Sequence, residues 1–203
     1  MSKRPIFITG IGTGVGKTIV SAVLVQKLQA DYWKPIQSGD LDNSDTALVR
    51  SLVSNKTTVF HTEAYRLTQP FSPHKSAALD GIRIDPEKVI LPKTNNLLVI
   101  EGAGGLMVPL NEDYLMIDLI KKLDAEVILV SQNYLGSINH TLMSAGILKS
   151  NGIKLSRLIF SGGQDHYSEA IIRKYLQIES LHIPYFDVLN SETVLSFSEK
   201  MIW

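Results

Sequence analysis

Lys17 and Thr18 close a glycine-rich run, TGIGTGVGKT over residues 9–18, and that combination of residue types is suited to holding a phosphate. Glycines let successive backbone N–H groups turn toward phosphate oxygens, and a helix N-terminus behind them adds partial positive charge. Gly10 to Thr18 is read as a phosphate-binding loop of the GxxxxGK[ST] kind. In this reading Gly14, Val15, Gly16 and the following Ile19 border the nucleotide, Lys17 reaches its β and γ phosphates, and the Thr18 hydroxyl is a ligand for magnesium. The bland alternative is an ordinary glycine turn. The context decides against it, because the apolar Ile6-Phe7-Ile8 precedes the loop and a helical pattern follows. The motif predicts nucleotide binding and leaves open what receives the phosphoryl group.

Three other groups could do chemistry. Glu101 follows the apolar run Leu97 to Ile100, where phosphate-loop enzymes carry an acid for magnesium, and Gly102-Ala103-Gly104-Gly105 behind it would let a ligand approach the backbone. Lys34, in Lys34-Pro35-Ile36-Gln37-Ser38-Gly39, ends a short strand expected to lie beside the first one and to open into the ligand crevice. Taken alone, a lysine there is more often a solvated charge. Asp45, after Asn43-Ser44, opens a helical segment and by residue type alone is an N-cap. Further on, Tyr134 to Asn139 follows a buried run and begins a helix whose free N–H groups could bind an anion. His74 and His140 have no metal-ligand spacing to another His or acid and are read as structural or as substrate-side hydrogen bonders.

Positioning these groups requires a particular alternation. Continuous apolar runs at Ile6 to Ile8, Leu97 to Ile100, Val127 to Val130 and Leu158 to Phe160, with weaker ones at Tyr32 to Ile36 and His182 to Phe186, resemble strands buried on both faces. Helical spacing appears over Thr18 to Gln29, Asp45 to Leu52, Leu115 to Leu123, Ser137 to Lys149 and Glu169 to Leu176. The rhythm predicts an α/β fold with a doubly wound, mostly parallel sheet of P-loop NTPase type, formed by residues 1–203 as a single domain. The proline-containing stretch from Thr57 to Lys93 is expected to cross the sheet without forming a second domain.

Composition narrows the partners. With 20 basic and 20 acidic residues in 203, no global field recruits nucleic acid or an anionic membrane. The absence of cysteine excludes disulfides, thiolate metal ligands and thiol catalysis. The amino-terminal MSKRPIFITG has too short an apolar run for a leader or a membrane span, so a cytoplasmic protein is expected.

TGIGTGVGKT, KPIQSG, NSD and EGAGGLMVPL, in this order and at these separations, resemble the dethiobiotin synthetases of biotin biosynthesis. The likeness runs from about Ile6 to Tyr185 and includes Ser72-Pro73-His74 and Leu135 to His140. It implies an ATP- and magnesium-dependent ligase that closes a cyclic urea on 7,8-diaminononanoate with CO2. It also implies Lys34 as the catalytic lysine, with Lys17, Thr13 and Ser38 around the carbamate that forms first, and Thr18, Asp45 and Glu101 as the magnesium shell. Gly102, Ala103 and Gly104 join the nucleotide site, as do Ser161, Gly162, Pro184, Tyr185 and Phe186. By the same resemblance the enzyme is a homodimer, and Gly136, Ser137, Ile138 and Asn139 of one subunit help hold the substrate of the other.

Two positions depart from the family pattern. Gly12 stands where Asp or Asn is frequent, which leaves the backbone function of the loop intact. Ser161-Gly162-Gly163 replaces an Asn-Asp pair that reads adenine, so either base selectivity is relaxed or recognition moves to backbone groups and to Pro184-Tyr185-Phe186. The rivals are weaker. A ParA- or MinD-like ATPase would carry a lysine early in the loop, where Gly12 stands, and a cobyrinic-acid-type amidoligase would need a glutaminase domain with a catalytic Cys. A non-enzymatic nucleotide-binding module differs from the enzyme only in what Lys34 does.

Overall fold

A computed structural model describes residues 4–203; residues 1–3, part of the amino-terminal stretch expected to be no leader, lie outside the described residues. In chain order the elements are β1 (Ile6–Gly10), α1 (Lys17–Leu28), β2 (Asp31–Trp33), β3 (Ile36–Ser38), α2 (Asp45–Leu52), β4 (Phe60–His61), β5 (Tyr65–Leu67), α3 (Pro73–Leu79), β6 (Leu98–Gly105), α4 (Met116–Lys122), β7 (Glu126–Gln132), α5 (Ser137–Ser150), β8 (Leu155–Ser161), α6 (His166–Leu176), β9 (Ser180–Ile183) and α7 (Ser191–Lys200). Seven strands form one sheet in the order β4-β2-β6-β1-β7-β8-β9, with every pairing parallel.

The apolar runs behave as strands buried on both faces because consecutive side chains enter different cores. Phe7, Ile100 and Val127 pack on one side with α4, while Ile8, Val99 and Ile128 pack on the other with α1. Trp33 and Tyr32 divide in the same way across the sheet. Helix α1 is buried along most of its circumference, between the sheet and helices α2 and α7. It therefore holds the glycine loop before it in a fixed place.

Several expectations change. The strand leading to Lys34 does not lie beside β1: β6 is inserted between β1 and β2. The run Tyr32 to Ile36 is two strands, since Lys34-Pro35 breaks the ladder and β3 leaves to pair with β5 in a separate two-stranded sheet. The stretch from Thr57 to Lys93 does more than cross the sheet, supplying the edge strand β4, the strand β5 and helix α3. Helix α7 was not expected, although Asn190 caps it by accepting from the Thr193 N–H and its Val194 is fully buried.

Candidate active site

The site lies at the C-terminal ends of the strands, where open parallel sheets bind ligands. A cleft of about 630 Å³ there is lined by Thr13, Lys17, Lys34, Ser38, Asp45 and Glu101, with Gly14, Gly16, Thr18, Ile19, Ala103 and Gly104 also at its wall. The glycine loop joins β1 to α1. Five residues, Ile11 to Val15, separate Gly10 from Gly16, one more than the GxxxxGK[ST] spacing allows. Gly16 sits at the helix N-cap with φ 90°, a left-handed conformation that favours glycine. Val15 is buried in the core and is not part of the cleft lining.

Lys17 donates to the Gly12 carbonyl at 2.9 Å. Burial, followed by the charge of Lys34, lowers its pKa to about 8. Lys34 is itself buried, with Nζ 2.5 Å from Asp45 Oδ2 and 3.1 Å from Glu101 Oε1. Burial would lower the Lys34 pKa, but Glu101 and Asp45 outweigh it and the net shift is upward. Burial would likewise raise the Asp45 carboxyl, yet Lys34 and Thr18 hold it below its ordinary value.

Asp45 is free for this role because Ser44 takes the cap, accepting from the Ala47 N–H at 3.3 Å. Residue type alone therefore named the wrong cap by one position. Glu101 is not the first exposed residue after a strand: β6 continues through it to Gly105, and it is 1% exposed. Ser38 lines the cleft with a buried Oγ that has no hydrogen-bond partner among the described residues. Gly102 packs against Phe7 and offers its carbonyl to Lys34 at 3.4 Å.

The oxygen atoms here fit a hard cation. Thr18 Oγ1 lies 2.9 Å from both Asp45 Oδ1 and Glu101 Oε1, and its single hydrogen can serve only one of them. A hydroxyl and two carboxylates converging on one point form an oxygen donor set of the kind magnesium takes, with water and phosphate completing it. No group of three His, Cys, Asp or Glu side chains suited to a metal occurs among the described residues.

Two supporting residues escaped the sequence reading. Tyr32, fully buried, donates its hydroxyl to Glu101 Oε2 at 2.9 Å, and burial and then Glu101 push its pKa well up. Its spacing of two from Lys34 on an extended chain was the available signal. Gln37 donates to the Gly39 carbonyl at 3.0 Å and accepts from the Asp45 N–H at 3.3 Å, tying the KPIQSG turn to the start of α2.

A second hollow, of about 170 Å³, shares Gly14, Gly16 and Ile19 with the cleft and is bounded beyond them by Ser161, Pro184, Tyr185 and Phe186. Gly162 lies just behind it, under the Tyr185 ring. Gly136, Ser137, Ile138 and Asn139 open α5 but line neither space. His74 pairs with Ser72 and His140 with Tyr134, at 3.1 and 2.8 Å.

A parallel α/β sheet with a phosphate loop and an acidic strand end defines a P-loop nucleotide-binding protein. Its fold is shared with a ParA family ATPase from Chlorobium tepidum (TM-score 0.57, 14% identity, 98% of this chain and 100% of that one). A family described as an AAA domain matches residues 4–193. The chain is 52% identical over 198 residues to an ATP-dependent dethiobiotin synthetase from Christiangramia forsetii, covering 96% of this chain and 94% of that protein. It is 46% identical over 197 residues to the synthetase from Cytophaga hutchinsonii, covering 96% and 95%. The chain belongs to the ATP-dependent dethiobiotin synthetase family.

Proposed function

We propose that this protein closes the ureido ring of dethiobiotin from 7,8-diaminononanoate and CO2, hydrolysing ATP to ADP and phosphate in biotin biosynthesis. The observation that carries this reading is the placement of Lys34. A buried ammonium at the rim of a phosphate loop, in one cleft with Lys17, Thr13 and Ser38, suits an anion that must form beside the γ phosphate.

The chemistry proceeds in three steps. One substrate amine adds to CO2, losing a proton and giving a carbamate. Lys34 and Lys17 offset its charge, while the Thr13 and Ser38 hydroxyls donate to its oxygens. The Ser38 Oγ lacks a partner among the described residues and is available for that task. The γ phosphoryl group then passes from ATP to a carbamate oxygen, with ADP leaving, a transfer in which positioning matters more than covalent help from the protein. Finally the second amine attacks the carbonyl carbon, the C–O bond to phosphate breaks, and the ring closes. No side-chain nucleophile is required.

Magnesium would be held by Thr18, Asp45 and Glu101, and when bound it neutralises charge on the β and γ phosphates. Lys34 occupies part of that space electrostatically, satisfying both carboxylates. Its ammonium thus lines the same cleft as Lys17 and the glycine loop.

The substrate tail carboxylate is assigned to residues 136–139 of a second copy. Those residues do not line the cleft of their own chain, which fits a homodimer with shared sites. A cytoplasmic location is proposed with the pathway; no helix among the described residues is long and apolar enough to cross a membrane. Lys34→Gln tests the reading: nucleotide should still bind while dethiobiotin formation collapses, and full-rate ring closure in that variant would remove Lys34 from the chemistry.

A further inference from the structure

The nucleobase has no obvious reader at the end of β8. Ser161 faces the phosphate loop so closely that a Cβ on Gly16 would lie 2.2 Å from its Oγ. The next residue, Gly162, has φ +92°, and a Cβ there would meet the Tyr185 ring at 2.7 Å. Tyr185 thus fills the space that a side chain at 162 would take. Amide side chains are found one strand over instead: Gln132, at the end of β7, is the register partner of Ser161 and lines the 170 Å³ hollow beside Gly14 and Gly16.

We propose that Gln132, held by Tyr185, is the residue that reads the base of the bound nucleotide. Gln132 Nε2 donates to the Tyr185 hydroxyl at 2.8 Å. An amide carries two N–H donors and a carbonyl acceptor. Among the described residues the second N–H and Oε1 of Gln132 have no other partner, and both belong to a side chain at the wall of the hollow. A neighbouring donor and acceptor complement a base edge with an amino group next to an unprotonated ring nitrogen. Adenine has that edge at N6 and N7, whereas guanine presents two acceptors, O6 and N7, at the same positions.

The surrounding wall is braced to hold this arrangement. Asn133 Nδ2 donates to the Gly163 carbonyl and to Glu169 Oε1, each at 2.9 Å. His182 bridges the buried Glu169 carboxylate at 3.1 Å and the Gly162 carbonyl at 2.9 Å. The turn that replaces a base-reading side chain is therefore fastened from behind. Its front face is given to Tyr185 and, through it, to Gln132.

This inference rests on the nucleotide being the substrate proposed above, and the test separates the two. Calorimetric affinities for the non-hydrolysable ATP and GTP analogues AMP-PNP and GMP-PNP are measured on wild type, Gln132→Leu and Tyr185→Phe, beside dethiobiotin formation with ATP and GTP. Wild type should prefer the adenine nucleotide, and Gln132→Leu should reduce that preference by roughly tenfold to a hundredfold, the loss expected for one bidentate base contact. Tyr185→Phe should reduce it less, with the KM for the diamine unchanged in both variants. If Gln132→Leu does not fold, Tyr185→Phe decides. An unchanged preference in the variants, equal losses for both nucleotides, or no preference in wild type overturns the assignment. Absence of dethiobiotin with intact base preference would instead overturn the proposed reaction and leave Gln132 as the base reader.

Discussion

Lys34 Nζ lies 3.1 Å from Glu101 Oε1, both side chains almost wholly buried, and Asp45 closes the pair from the other side at 2.5 Å. Two carboxylates in so confined a space need a cation, and in this arrangement Lys34 provides it. Removing the ammonium has a cost for folding as well as for chemistry. Lys34→Gln should lower kcat on the order of a hundredfold to a thousandfold, as loss of one well-placed charge-stabilising donor does. Because two carboxylates would then lack their partner, the Tm of the variant should fall and should recover with added magnesium more than that of wild type. Thermal unfolding with and without magnesium checks this.

Tyr32 fixes the other oxygen of the same carboxylate, donating to Glu101 Oε2 at 2.9 Å. Tyr32→Phe keeps the ring in its place and removes only the hydroxyl. Glu101 would lose one of its orienting partners, so the magnesium concentration needed for half-maximal nucleotide binding should rise by about threefold to tenfold, equivalent to the roughly 1 kcal/mol of one hydrogen bond. Calorimetry at several magnesium concentrations measures it, and the diamine KM should not move.

Much of this was legible in advance, and the losses have physical causes. The phosphate loop and Glu101 announced themselves through residue type and spacing, because phosphate and magnesium demand glycine, lysine, hydroxyl and carboxylate, whereas Lys34 and Asp45 read alone as a solvated charge and an N-cap and were singled out only by the family resemblance. The central runs around Phe7, Ile100, Ile128 and Ile159 were readable because burial on both faces leaves no polar positions. Strand order was not, since nothing local at β2 states that β6 will be inserted beside it. The short strands β4 and β5 carry too few residues for periodicity to show. Tyr32, Gln37 and Gln132 were missed for a common reason: each acts through a partner distant in sequence, respectively Glu101, Asp45 and Tyr185.

Gly39, in KPIQSG, has φ +71°, and a Cβ there would fall 2.6 to 2.8 Å from Pro70 atoms that include its backbone. Gly39→Ala is strained twice, by its conformation and by the contact. Destabilisation of about 1–3 kcal/mol is expected from overpacking of this kind. The displaced turn carries Ser38 and Gln37, so the diamine KM should rise as well. Urea unfolding and steady-state kinetics of the same variant measure both effects.

Asp31 does not line the cleft, yet it ties together three segments. Its buried carboxylate accepts from Thr94 Oγ1 at 2.6 Å, the Val59 N–H at 2.9 Å and Asn96 Nδ2 at 3.2 Å, with His61 at 3.3 Å. Burial alone would raise its pKa from 3.8, but these partners, Thr94 first, bring it below that value. A carboxyl lowered on folding stabilises the protein at pH values above its unfolded pKa, and that contribution is lost as pH falls through the folded value. Asp31→Asn should therefore be less stable by about 1–3 kcal/mol at neutral pH, the range for disrupting buried hydrogen bonds. The gap to wild type should narrow only below about pH 4, which urea unfolding across pH can follow.

The most direct measurement is product formation by the purified protein. Incubated with 7,8-diaminononanoate, bicarbonate, magnesium and ATP, it should yield dethiobiotin, ADP and phosphate in equal amounts, and omission of the diamine should suppress ADP release. ATP hydrolysis without dethiobiotin, under conditions where a known synthetase is active, would contradict the account.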